Sequence, residues 1–183
     1  MTDAAPNPRY LEIFPSWLRT LGEDAGQLGD VVAQQSQSGA PSPGIRYLVA
    51  GLTYIFKSLD LIPDGIDDLG YMDDAFVLRL AADFAASEDA SLKEGIVLRL
   101  ADESRQVKEF LGDDYARLEV YVKGLRKGAA RGRTVDDVLE DASTRTGFLQ
   151  EVSAWSKDYQ VPAFTRDVKT LIKLKAFLSA KLA

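Results

Sequence analysis

Cysteine and histidine are both absent from this 183-residue chain. Without cysteine there can be no disulfide, no thiolate zinc site and no cysteine nucleophile. The lack also suits a reducing compartment. Without histidine the commonest general base and the commonest zinc ligand are missing, and a Ser-His-Asp triad cannot be built. An enzyme on this chain has to work with carboxylates, Lys, Tyr, Ser or a bound cofactor. A metal has to be held by oxygen ligands, which points to Mg, Ca or Mn. Long apolar runs are lacking too. The longest, Tyr47–Phe56, is about half a membrane span and reads as a core helix. The first ten residues carry neither a basic start nor an apolar segment, so no secretory signal is expected. Positive charge is in deficit: the net charge is −6. That balance repels a phosphate backbone overall and argues against generic nucleic-acid binding.

What is present is the material of a helical protein. The apolar fraction is 46%, ordinary for a globular domain. A chain of this length can bury about two thirds of its unfolded surface without a disulfide or metal. Residues 1–183 are expected to form one domain. Pro15 followed by Ser16 marks a helix start, and Trp17, Leu21, Ala25, Leu28 and Val32 share one helical face. Residues 37–44 have linker composition. A second helix is expected from Ile45 to about Ser58, ending before Pro63. A third starts near Tyr71 to Asp73, with Phe76, Val77, Leu80 and Phe84 on one face. Further helices are expected over Ser91–Leu111 and Tyr115–Lys127. Another should run from a capping box at Thr134 to about Tyr159, and a last one from about Arg166, capped by Thr165, to Leu182. No segment alternates like a strand. The fold class is all-α: a bundle of six or seven helices around a central helix–acidic loop–helix unit at 45–86, with the additional helices in 87–183.

The loop in that unit is unusual. Residues 58–74 hold six aspartates, interleaved with Leu, Ile, Pro and Met. A solvated acidic tail would lack the apolar residues, so Leu61, Ile62 and Leu69 are expected to be buried. Two readings of the carboxylates stand side by side. In one, Asp60 or Asp64 accepts turn N–H groups, Asp73 caps the following helix and Asp74 meets its dipole. In the other, Asp60, Asp64, Asp73 and Asp74 hold Mg or Ca, because crowded carboxylates repel and a divalent ion relieves that. The standard calcium-loop spacing is not met from either Asp60 or Asp64. An acidic docking surface for a basic partner is a third use.

Tyr54-Ile55-Phe56, then Asp60-Leu61-Ile62-Pro63-Asp64, then Gly70-Tyr71-Met72-Asp73-Asp74 together resemble the signature of the YkvA-like family of small helical bacterial proteins. The likeness spans about residues 47–82, roughly a fifth of the chain. It carries over Asp60, Asp64, Gly70, Asp73 and Asp74. The chain departs from the family pattern at Ser58 and Asp67, where proline is usual. The resemblance implies a helical domain with no assigned activity, some of whose relatives are membrane-associated.

Two basic segments complete the reading. Residues 123–133 carry five positive charges among glycines. This is either a phosphate-binding loop or a helix connection with cations near a helix end. It lacks the Lys-Ser/Thr ending of a P-loop and any interleaved aromatic residue. Residues 160–183 have a local charge of +4, with Val168, Leu171, Ile172, Leu178 and Leu182 as an apolar stripe. Such a helix docks on its own acidic body, on a partner, or on a membrane surface. The function expected is a non-catalytic helical interaction or scaffold module of the cytoplasm, binding a protein partner or itself. The alternatives are a divalent-metal protein or metal-dependent enzyme using the aspartate-rich loop, and a peripheral membrane protein using the last helix.

Overall fold

Residue 76 and its neighbours explain the architecture. The stretch from Ala75 to Ala86 is apolar nearly all round, interrupted by Arg79 and Asp83. A helix of that kind belongs in the interior. In the computed structural model, which describes residues 5–36, 42–57, 61–62 and 69–182, this helix is α3 (Met72–Glu88) and lies at the centre. It packs against α2 (Pro43–Ile55) on one side and α4 (Gly95–Leu111) on the other. The α2–α3 approach is close because position 51 is glycine. A Cβ there would sit 2.8 Å from the Ala81 Cβ.

The long first helix, α1 (Tyr10–Ser36), crosses this layer and is backed by α7 (Ala142–Asp158). Tyr10, Phe14, Phe76 and Phe110 form an aromatic knot tying α1, α3 and α4, with Phe14 4.9 Å from Phe110 and 5.2 Å from Phe76. The remaining helices are α5 (Asp114–Gly124), α6 (Val135–Glu140) and α8 (Val168–Leu182). The last of these lies against α5 and α1. The chain is thus all-α, with eight α-helices among the described residues.

Several boundaries differ from the sequence reading; the helix expected from Ser91, for one, begins at Gly95. The helix start marked by Pro15 is not one: α1 begins at Tyr10 and runs through the proline. An interior proline costs about 3 kcal/mol, and burial of Tyr10 and Phe14 in the aromatic knot offsets it. Ser16 then turns its hydroxyl back to the Ile13 carbonyl at 2.5 Å and is no cap. At the second helix, the start moves into the expected linker, with Ser42 as cap and Pro43 in the first turn. The helix expected over 134–159 is two. The capping box at Thr134 is formed with Asp137, but α6 ends at Asp141, whose carboxylate caps α7 through the Thr144 N–H at 3.1 Å. At the carboxyl end α8 starts at Val168, later than Thr165 implies, and the Asp167 carboxylate accepts the Lys169 N–H at 2.9 Å.

The basic glycine-rich segment also differs from a plain connection. Ala129–Ala130 (β1) and Arg133–Thr134 (β2) form a two-residue antiparallel hairpin. Arg131 and Gly132 turn it with φ of +53° and +77°. Positive φ at both central residues is the turn that matches strand twist. Glycine supplies one of those positions without strain.

Candidate functional site

The loop between α2 and α3 is fastened from inside. Tyr54, in the last turn of α2, and Asp73, in the first turn of α3, are each 1% exposed. The Tyr54 hydroxyl donates to Asp73 Oδ2 at 2.5 Å and accepts the Leu61 N–H at 2.8 Å. Asp73 Oδ2 also accepts the Ile62 N–H at 3.3 Å. Two consecutive loop amides are therefore tied to one buried phenol–carboxylate pair, and Leu61, Ile62 and Leu69 are buried as expected. Burial, then the charges of Asp73 and Asp74, push the Tyr54 phenol far above its ordinary range. It stays a neutral donor wherever the protein is folded.

This placement corrects the capping reading of Asp73. The residue preceding α3 is Tyr71, in the left-handed region at φ +70°, and its side chain does not cap the helix. Asp73 sits inside the first turn and serves the loop. Asp74 is also in that turn and buried, where the helix dipole favours a carboxylate. The unusual backbone at Tyr71 aims its ring at α7, 5.5 Å from Tyr159 and 6.2 Å from Trp155. Asp60 and Asp64 lie outside the described residues. Among the described residues no three carboxylates converge where a metal could sit.

A second buried network was not singled out by motif reasoning. Arg79 is fully buried in α3. Its guanidinium lies 3.9 Å over the Trp17 ring. Nη2 is 3.1 Å from Glu103 and 3.9 Å from Asp24, and Nη1 donates to the Ala75 carbonyl at 3.0 Å. Arg99 closes the set by pairing with both Asp24 and Glu103. Two cations and two anions leave no net charge. Burial lowers Arg79 to about 10, against the pull of Glu103 and Asp24, so it stays charged at neutral pH. The signal was there to read: a lone arginine in an apolar helix, and an aspartate beside Leu21 and Ala25 on the buried face of α1. Buried charges are rare unless paired. Buried itself, Arg79 ties α1, α3 and α4.

Compared with protein-family models, with curated proteins and with solved structures, the chain matches none.

The basic segments have contrasting fates. In 123–133 four of the five cations lie on aromatic faces of the body. Lys123 is over Phe84 at 5.0 Å, Arg126 over Tyr47 at 4.8 Å, Arg131 over Phe56 at 4.6 Å and Arg133 over Phe148 at 5.3 Å. The aromatic partners that the segment itself lacks come from α2, α3 and α7, so the segment is stapled down. In α8, Leu171, Leu174 and Leu178 are buried against the chain's own body. Ile172, which the sequence assigned to the same stripe, is 51% exposed. It projects into a groove of about 1030 Å³ between α8 and the α4–α5 corner, with Leu111, Asp113 and Arg117 opposite. Lys169, Lys173 and Lys181 are exposed on α8. With Lys175 they form no ion pair among the described residues. No described helix is long and apolar enough to cross a membrane.

Proposed function

We propose that this chain is a non-catalytic helical interaction module of the cytoplasm, of the YkvA-like kind that its loop resembles. The observation that carries the reading is the interior position of Asp73 and Asp74, each 1% exposed. These are the carboxylates with which a histidine-free, cysteine-free chain would do chemistry. Asp73 is occupied in holding Leu61 and Ile62. A group that fastens a loop from inside shapes a surface and does not meet a substrate.

The face that takes the partner is the groove beside α8. An exposed isoleucine with Lys175 and Arg117 in its groove, on a helix whose four lysines form no ion pair among the described residues, fits an acidic protein segment with an apolar anchor. Immobilised wild type and Ile172→Glu, incubated with lysate of the source organism at low salt, test this directly. A partner held by wild type, released by salt and lost from the variant is expected. Identical retained proteins on both baits would overturn the assignment of the groove.

The same lysines favour a second reading, adsorption to an anionic membrane surface. The leucines of α8 face inward, which leaves Ile172 as the exposed anchor in the middle of the helix. Co-sedimentation with phosphatidylserine vesicles separates the two: retention by vesicles without any protein partner supports the membrane.

A further inference from the structure

A polar cleft of about 340 Å³ opens between α3, the Lys93 turn, α4 and α5. It is far from nothing in size: small-molecule sites start at about 300 Å³. Two buried residues, Ser104 and Tyr115, line it, so it reaches inward beyond the outer layer of side chains. Half-buried Asp83 and Glu119 line it as well, one from α3 and one from α5. Lys93, Arg105 and Lys108 supply three cations, and Asp102 a third anion.

The cleft gathers six charges of both signs around one space. None of the six forms an ion pair among the described residues. Opposite charges are held around one space without closing it. Asp83 feels the strain. Burial, then the nearby Glu119 charge, raise its carboxyl above the ordinary aspartate value, and Lys93 and Arg105 only partly counter this. Burial and the same two carboxylates push the Tyr115 phenol up to about 12. A cation placed beside Asp83 and Glu119 would relieve that repulsion. An anion attached to the same molecule would meet the lysine and arginine side chains. Ala86, Ala101 and the Tyr115 ring are the apolar part of a lining that is otherwise polar or charged.

We propose that this cleft binds a small zwitterion, its ammonium group beside Asp83 and Glu119 and its carboxylate or phosphate beside Lys93, Arg105 and Lys108. The site is separate from the α8 groove and does not depend on the interaction reading.

The test is an amide-resolved NMR titration of the whole chain. The zwitterionic probes are γ-aminobutyrate and phosphoethanolamine, which separate a carboxylate from a phosphate as the anionic end. Acetate, inorganic phosphate and methylammonium are the singly functional controls. At least one zwitterion should shift the amides around Asp83, Ser87 and Tyr115 with a Kd of about 1 mM or tighter. The controls should bind at least about tenfold more weakly. Asp83→Asn and Arg105→Gln should each weaken the zwitterion by about tenfold or more, since each removes one charged end of the site. The proposal is overturned if neither zwitterion shifts these amides at about 20 mM, or if a control binds as tightly. It is also overturned if both variants bind like wild type. The wild-type arm decides even if a variant folds poorly.

Discussion

Replacing Tyr54 by Phe removes one oxygen atom and leaves the ring to pack as before. That oxygen serves two partners: it donates to Asp73 and accepts from the Leu61 N–H. A hydrogen bond to a charged group contributes about 1.5–3 kcal/mol, and a buried donor left unmade costs about 1–3 kcal/mol more. Asp73 keeps the Ile62 N–H, so the loss should fall toward the low end of the sum, about 3 kcal/mol. For a domain of this length that is a fall in Tm of about 6–12 °C. Urea denaturation monitored by circular dichroism gives the free energy, and hydrogen exchange gives its location. The amides of Leu61 and Ile62 should lose protection more than those of α4. A loss below about 0.5 kcal/mol, the range of a surface substitution, would refute the claim that this hydroxyl fastens the loop. The Asp73→Asn variant should be less than additive with Tyr54→Phe, because the two remove the same interaction.

Other substitutions probe the rest of the fold. Arg79→Met should cost about 1–3 kcal/mol by urea denaturation, less than the about 3–5 kcal/mol of an orphaned buried charge, because Arg99 still pairs with Asp24 and Glu103. Gly22→Ala should destabilise by about 1–3 kcal/mol despite alanine's better helix propensity. The new Cβ would lie 2.9 Å from the Tyr159 Cβ and 3.0 Å from the Ser156 carbonyl, so a neutral or stabilised variant would show that α1 and α7 are not so closely joined. Asp83→Asn addresses pH dependence. The folded-state value of Asp83 is raised above the ordinary 3.8. Its contribution is therefore fully present below that value and is lost as pH rises through the raised one. Glu119 and Asp102 add to the rise, and Lys93 and Arg105 oppose it. Thermal unfolding should find the variant equal to wild type below pH 3.8 and more stable at neutral pH.

The helical class and most of the interior were legible in the sequence, because apolar periodicity is a local property. The face Trp17, Leu21, Ala25, Leu28, Val32 is buried as the spacing required. Boundaries were less legible where tertiary contacts override local signals. Pro15 reads as a start, yet the aromatic knot extends α1 back to Tyr10. Asp141 looks like one more polar residue in a helix and is in fact the cap that splits it. At the candidate site, the apolar residues of the loop, Leu61, Ile62 and Leu69, are buried as expected, and Asp73 proved to sit within the first turn of α3 and not at its cap. Its role was not legible, since its partners, Tyr54 and Ile62, are 19 and 11 positions away and only the fold brings them together. The same holds for Arg79, whose partners Asp24 and Glu103 come from two other helices.

On the reading proposed above, Asp73 at the start of α3 fastens the loop and holds no ion. Thermal unfolding of wild type and Asp73→Asn, each with and without millimolar Mg, Ca or Mn, tests it most directly. The account predicts that Asp73→Asn unfolds at lower temperature in every buffer and that no ion moves wild type selectively. A contradicting result would be an ion that raises the Tm of wild type but not of the variant. Binding to the folded state alone, at a hundred times its Kd, adds about 2.7 kcal/mol, and a shift of that size confined to wild type would make the acidic loop a metal site.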